Sequence, residues 1–160
     1  MYNTKMVKNK ILSFALFVLV TYSASAIGVL STIWFKEPWY SELIKPSFNP
    51  PDWIFGPIWT TLYLMMAIAI WNFWHSEKKN LSTIYIYFVH LIFNTTWTIV
   101  FFVFHKITLA FFVLIILISL IIILIMRFRR VNLVSYYLMI PYLLWCCYAL
   151  LLNLCLIILN

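Results

Sequence analysis

The side chains that usually perform chemistry are scarce in this chain, and their positions restrict the reactions it can run. Asp and Glu total 4, namely Glu37, Glu42, Asp52 and Glu77, and each stands in a polar stretch or at the edge of an apolar one. A hydrolase needs a positioned acid and base, and an ion-driven transporter needs an ionisable relay inside the membrane. No carboxylate is placed for either task. Cys146, Cys147 and Cys155 show no C-x-x-C or Cys/His spacing. Cys146 and Cys147 project about 100° apart on a helix, which disfavours a metal site or a structural disulfide, so the cysteines read as small packing residues.

What remains is aromatic, amide and imidazole side chains at helical spacing. His90, Asn94, Trp97 and Phe101 recur at i, i+4, i+7 and i+11, which is one stripe of a helix. A half-polar stripe is costly against lipid and is expected to face a bundle interior, where it either hydrogen-bonds neighbouring helices or lines a cavity. Haem ligation by His90 lacks an apparent second ligand. Trp53, Pro57, Trp59, Tyr63 and Met66 form a second series, with Trp53 near a membrane boundary. Pro141, Trp145, Ala149 and Leu152 or Asn153 form a third, with Tyr142 and Tyr148 nearby. Ala149, one turn after Trp145, leaves space beside the indole. The chemistry open to such residues is recognition of a flat apolar molecule by stacking, with plain helix packing as the alternative.

The elements that must carry these stripes follow from composition. Of 160 residues, 66% are apolar and 9% charged, with a mean hydropathy of +1.01, which leaves too few charges to cover a water-soluble domain. The apolar runs are continuous rather than alternating, so the spans are helices and not barrel strands. Spans are expected at about 11–33, 53–75, 82–104, 107–126 and 133–158, giving an all-α, five-transmembrane-helix bundle in a single domain, 1–160. The long loop, 34–52, carries Trp39, Tyr40, Pro46, Pro50 and Pro51, and only His105 and Lys106 separate the third and fourth spans.

With the N-terminus inside, Lys5, Lys8, Lys10, Lys78, Lys79, Arg127, Arg129 and Arg130 lie on the inner side, against Lys36, Lys45 and Lys106 outside. This bias places the N-terminus in the cytoplasm and the C-terminus and 34–52 loop on the opposite face. It suits a prokaryotic cell membrane. The net charge of +7 reflects that bias and attraction to anionic lipid headgroups rather than nucleic acid. The start of the chain imitates a signal peptide with a cleavage site at Ala24-Ser25-Ala26, but the apolar run continues through Ile33, long enough to span. Ala24 and Gly28, four apart, with Ser31 or Thr32 beyond, suit close approach of another helix, within the chain or in a dimer.

A more specific pattern overlies these stripes. The run Trp39-Tyr40-x-x-Leu43-x-Lys45-Pro46-Ser47-Phe48-Asn49-Pro50-Pro51-x-Trp53-x-Phe55-Gly56-Pro57-x-Trp59-Thr60-x-Leu62-Tyr63 resembles the signature of the tryptophan-rich sensory protein family, also called translocator protein or peripheral benzodiazepine receptor. Asn94-x-x-Trp97 and Pro141-Tyr142-Leu143-x-Trp145-x-x-Tyr148-Ala149-x-x-Leu152-Asn153 resemble two further blocks of that family, so the similarity covers essentially the whole chain.

The resemblance implies a five-helix bundle, commonly a homodimer, with a pocket beneath the first loop. It implies ligands such as porphyrins (protoporphyrin IX or a haem-like molecule), isoquinoline-type aromatics and, in some members, sterols, with no required cofactor. Carried over by position, Tyr40, Trp59, Asn94, Trp97, Trp145, Ala149 and Leu152 would wall the pocket. Trp39, Pro46, Pro50, Pro51 and Trp53 would belong to its lid. Two departures stand out. No basic residue follows Tyr148, as the sterol pattern of animal members requires, although Arg130, Tyr136 and Leu138 give a reversed version. Leu109 stands where some members have an aromatic residue. The expected function is a membrane receptor or carrier for flat apolar ligands. The alternatives are a catalyst of oxidative porphyrin breakdown and a structural membrane subunit without a small-molecule ligand.

Overall fold

The computed structural model describes the backbone of residues 2–160 and the side chains of residues 9–160. Lys5 and Lys8, counted above for orientation, have side chains outside the described residues. Six α-helices follow in order: α1 (Tyr2–Phe35), the single turn α2 (Trp39–Glu42), α3 (Asp52–Trp74), α4 (Leu81–Thr98, extended by a π-helical turn, Ile99–Val103), α5 (Ile107–Arg129) and α6 (Leu133–Leu159). Five of them are long and apolar enough to cross a membrane. Helix α5 runs on to Arg129, because Arg127 and Arg129 sit in its last turn, where cations complement the helix dipole.

Local sequence sets where the helices start. Pro51 precedes α3 and Asp52 occupies its first turn, a favourable place for negative charge. Asn80 caps α4 by accepting from Thr83 N–H at 2.9 Å, and Asn132 caps α6 by accepting from Ser135 N–H at 3.0 Å.

Around the bundle the helices run α1, α3, α6, α5, α4 and back to α1, a closed ring. Hydrogen bonds identify its two ends. At one, Trp71 Nε1–H donates to Lys10 O at 3.2 Å and Asn132 Nδ2–H to Ser76 Oγ at 3.2 Å. At the other, His105 Nε2 pairs with Phe35 O at 3.1 Å and Tyr148 O–H donates to Phe48 O at 2.8 Å.

Toward the first end the interior is filled by Met66, Ile70, Phe73, Leu117, Ile121, Phe128 and Met139. Apolar side chains such as Leu12, Leu19, Ile92, Phe112 and Ile158 point outward, as lipid contact requires. Because lipid is as apolar as leucine, interhelical packing and hydrogen bonds must hold the ring together. Buried bonds between helices do so here, among them Thr21 Oγ1 with Tyr87 Oη at 2.6 Å and Ser135 O–H to Ala69 O at 2.7 Å. Gly28 lies beside α4, where an added Cβ would be 3.5 Å from Thr98 Oγ1, an ordinary contact. The Ser31 and Thr32 hydroxyls bond back to Ile27 O and Gly28 O, each at 2.9 Å, and so present no unpaired polar group.

Candidate functional site

Helix α4 does not end as it begins. Over Ile99–Val103 it winds as a π-helix. Phe104 N–H donates to Ile99 O and Lys106 N–H to Val100 O, each at 3.1 Å, and His105 then reverses the chain with φ of 53°, in the left-handed region that few non-glycine residues occupy. The wider winding presents Phe101 and Phe102 together to the Tyr40 ring, at 6.2 and 5.9 Å. Trp97 stacks on Phe101 at 5.7 Å. In the loop, α2 turns Trp39 onto the His105 ring at 4.3 Å and 15°, and edge-on to Phe101 at 5.3 Å.

Beneath this aromatic junction lies a cavity of about 340 Å³, at the lower end of the range usual for small-molecule sites. Helix α1 contributes Gly28 and Thr32, α3 contributes Phe55, Trp59 and Tyr63, α4 contributes Trp97 and Phe101, and α6 contributes Ala149, Leu152 and Asn153. Helix α5 contributes no wall residue. Lys36, Tyr40, Asn49 and Asp52 form the mouth.

The mouth is charged and latched while the interior is neutral. Lys36 pairs with Asp52 and lies 3.4 Å from Glu37. Partial burial works against the Lys36 charge, but the hydrogen bond and charge of Asp52 outweigh it and raise its pKa above the ordinary 10.5. Glu37 is held below the usual carboxylate range, first by the Ser41 hydroxyl and then by Lys36. Burial pushes the Tyr40 phenol up, and its ring lies under Lys45 Nζ at 4.5 Å. Since the folded pKa of Lys36 is raised, the latch contributes fully below pH 10.5 and is lost as pH rises through that higher value. The pair is partly exposed and contributes under about 1 kcal/mol. Protection of the 36–52 amides against hydrogen exchange, taken relative to the intrinsic base-catalysed rate, should therefore fall as the pH passes above 10.5, and Lys36→Met should remove that step.

Two more contacts fix the loop. The Asn160 carboxamide embraces Ile44, accepting from its N–H at 2.9 Å and donating to its carbonyl at 3.1 Å. Tyr148 holds Phe48, as described above.

Of the residues singled out in the sequence, Tyr40, Trp59, Trp97, Ala149 and Leu152 meet at this cavity. Asn94 and Trp145 do not border it. Asn94 is 1% exposed and lies behind the wall, accepting from Tyr63 O–H and donating to Tyr142 Oη at 3.0 Å. Its amide is consumed by two tyrosines on other helices, so it positions the Tyr63 ring. Trp145 packs edge-on at 5.9 Å against Phe55, which does line the cavity. His90 is buried between the rings of Tyr87 and Tyr142, at 4.8 and 5.9 Å, and does not line the cavity.

The lid residues are also displaced from their expected place. Trp39, Pro46, Pro50, Pro51 and Trp53 do not border the cavity. Trp39 is spent on His105, and Trp53 is 74% exposed on the first turn of α3. Tyr40 and Asn49 do the covering. Leu109 is half exposed on α5, away from the cavity. Sequence reasoning did not place Phe55, Tyr63 or Asn153 in the wall. Tyr63 lay on the Trp59 stripe and Asn153 on the Trp145 stripe, so a helical projection could have found both. Phe55, four residues before Trp59, lay on the Trp59 stripe as well.

Comparison with known proteins gives this arrangement its context. The model of the TspO/MBR family matches residues 14–159. The chain is 34% identical over 143 residues to the tryptophan-rich protein TspO of Chlorobaculum tepidum, covering 84% of this chain and 89% of that one. It is 32% identical over 144 residues to the protein of the same name from Archaeoglobus fulgidus, with 89% and 94% covered. The translocator protein of Ovis aries is 32% identical over 119 residues, with 72% and 70% covered.

Proposed function

The chain belongs to the TspO/MBR family of tryptophan-rich sensory and translocator proteins, and on that premise we propose that it binds porphyrins or similarly flat apolar molecules in the cavity between α1, α3, α4 and α6, as a membrane receptor or carrier. The observation that carries this reading is that Trp59 of α3 and Trp97 of α4 line one cavity with the small Ala149 of α6, under a charged mouth. Indole faces stack on a planar ring, and the small Ala149 side chain leaves room for it. A carboxylate-bearing ligand would take the place of Asp52 at Lys36, leaving its apolar part inside. The excess of Lys and Arg on one side supports an N-terminus in the cytoplasm and a mouth on the opposite face. In this reading the partners are the ligand, the surrounding lipid and a second copy of the chain.

Titration of the purified protein with protoporphyrin IX should quench tryptophan fluorescence to saturation at one site per chain. Linear quenching, equal to that of detergent micelles carrying free tryptophan, would overturn the proposal. A new absorption band growing in the light would instead favour porphyrin breakdown, for which Trp59 and Trp97 are the candidate redox-active wall groups.

A further inference from the structure

The two ends of the bundle treat their charges differently. At the mouth, Lys36 is matched by Asp52 and Glu37. The opposite end carries Lys10, Lys78, Lys79, Arg127, Arg129 and Arg130 against one acid, Glu77, and among the described residues no ion pair forms there. Cations at the edge of an apolar bundle stand at the depth of lipid headgroups.

Within that set one group is built into the seam between α1 and α3. Lys10, Ser13 and Phe14 are three and four residues apart and share a face of α1. That face meets the end of α3. Trp71 Nε1–H donates to Lys10 O at 3.2 Å, Ser13 O–H donates to Lys10 O at 2.9 Å, and Ser13 Oγ lies 2.9 Å from His75 Nε2. Because the Ser13 proton goes to Lys10 O, His75 Nε2–H is the donor in that last contact, which leaves Nδ1 to take up a proton. The Trp71 ring packs edge-on with both Phe14 and His75, each at 5.4 Å. Lys79 Nζ rests over the Trp74 ring at 4.6 Å. Burial first, and then the charges of Lys10 and Lys79, hold the His75 imidazole, just beyond α3, below its ordinary 6.5. Three basic groups are thus brought together with no carboxylate to balance them. Two of the arginines are engaged otherwise: Arg127 donates to Ser82 Oγ at 2.8 Å, and Arg129 lies over the Tyr136 ring at 5.9 Å.

We propose that Lys10, His75 and Lys79 form the headgroup site of one anionic phospholipid, whose phosphodiester sits among the three basic groups at the α1–α3 seam. A phosphodiester offers charged acceptor oxygens and no donor of its own, which suits two ammonium groups and a protonated imidazole. Trp71 and Trp74 mark the same depth, since indoles collect at membrane interfaces. Outward-facing apolar side chains of the two helices, such as Ile11 and Leu64, give the acyl chains a surface to follow, which a free anion would not use. A zwitterionic headgroup would bring an ammonium against the same cations. The site is independent of the cavity at the other end.

The test is native mass spectrometry of the detergent-purified chain, titrated with phosphatidylglycerol or with phosphatidylcholine of the same acyl chains. The parent should retain one phosphatidylglycerol in preference to phosphatidylcholine. Lys10→Gln with Lys79→Gln should weaken that binding by at least about tenfold. Arg129→Gln with Arg130→Gln, which removes the same charge from the same end, should change it little. All four side chains are exposed, so neither pair should unfold the bundle. Equal losses in the two variants would mean that net charge alone holds the lipid, and would overturn the proposal; so would equal retention of the two lipids by the parent. Displacement by millimolar inorganic phosphate, but not by chloride of equal ionic strength, would assign the site to a free anion and overturn the lipid reading. One equivalent of phosphatidylglycerol should also raise the His75 pKa, followed by NMR of ring-labelled histidine with His75→Gln to identify the signal. A His75 titration that the lipid leaves unmoved would place the phosphate elsewhere and sink the proposal.

Discussion

Ala149→Phe should abolish saturable quenching by protoporphyrin IX while leaving the protein folded. Ala149 lines the 340 Å³ cavity from α6, together with Trp59 and Trp97, and a phenyl ring projecting there takes the volume a flat ligand would need. We expect affinity to fall at least about a hundredfold, some 2.8 kcal/mol. Overpacking a filled core costs about 1–3 kcal/mol, but here the ring enters open space and gains contacts. The thermal midpoint in detergent should therefore stay level or rise. Leu109→Phe, which adds the same ring on the lipid-facing surface of α5, should leave binding as it is. Equal affinity for the parent and the Ala149→Phe protein would show that the ligand binds elsewhere.

Asn94→Leu should do the reverse, destabilising the fold more than it impairs binding. The substitution strands the hydroxyls of Tyr63 and Tyr142, both buried within the bundle. Unsatisfied buried groups cost about 1–3 kcal/mol each in general. Interhelical hydrogen bonds in membranes average nearer about 0.6 kcal/mol, because the unfolded chain in lipid also finds partners. We expect a loss of about 1–2 kcal/mol and a fall of several degrees in the thermal midpoint. Porphyrin affinity should weaken by only a few fold, through the Tyr63 ring that Asn94 no longer holds. An unchanged midpoint would show that the three-residue network holds nothing together.

These two variants separate what the sequence could and could not convey. Helix number and span are written in continuous apolar runs and in the polar residues that interrupt them, and the five apolar helices follow that pattern. The inward face of α4 was equally legible, because lipid penalises His90 and Asn94 on any other side. Periodicity assigns a residue to a face of its own helix but says nothing about which side chain stands opposite. The Tyr63–Asn94–Tyr142 bridge joins residues 31 and 48 positions apart, and only the ring order of the helices brings them together. For the same reason Trp145 was expected at the wall, whereas it packs edge-on against the wall residue Phe55. The π-helical turn at Ile99–Val103 has no counterpart in hydrophobic patterning, since a local change of winding leaves an apolar run apolar. The roles of Tyr40 and Trp39 parted because α2 is a single turn, which sends adjacent aromatics in different directions.

The hold of Asn160 on Ile44 has a practical side. A fluorescent reporter or affinity handle fused after residue 160 would hang beside the cavity mouth and tug on the loop that Asn160 holds. Helix α1 starts toward the other end of the bundle, where Lys10 O accepts from Trp71 Nε1–H, so cargo belongs on that side when uptake is the quantity of interest.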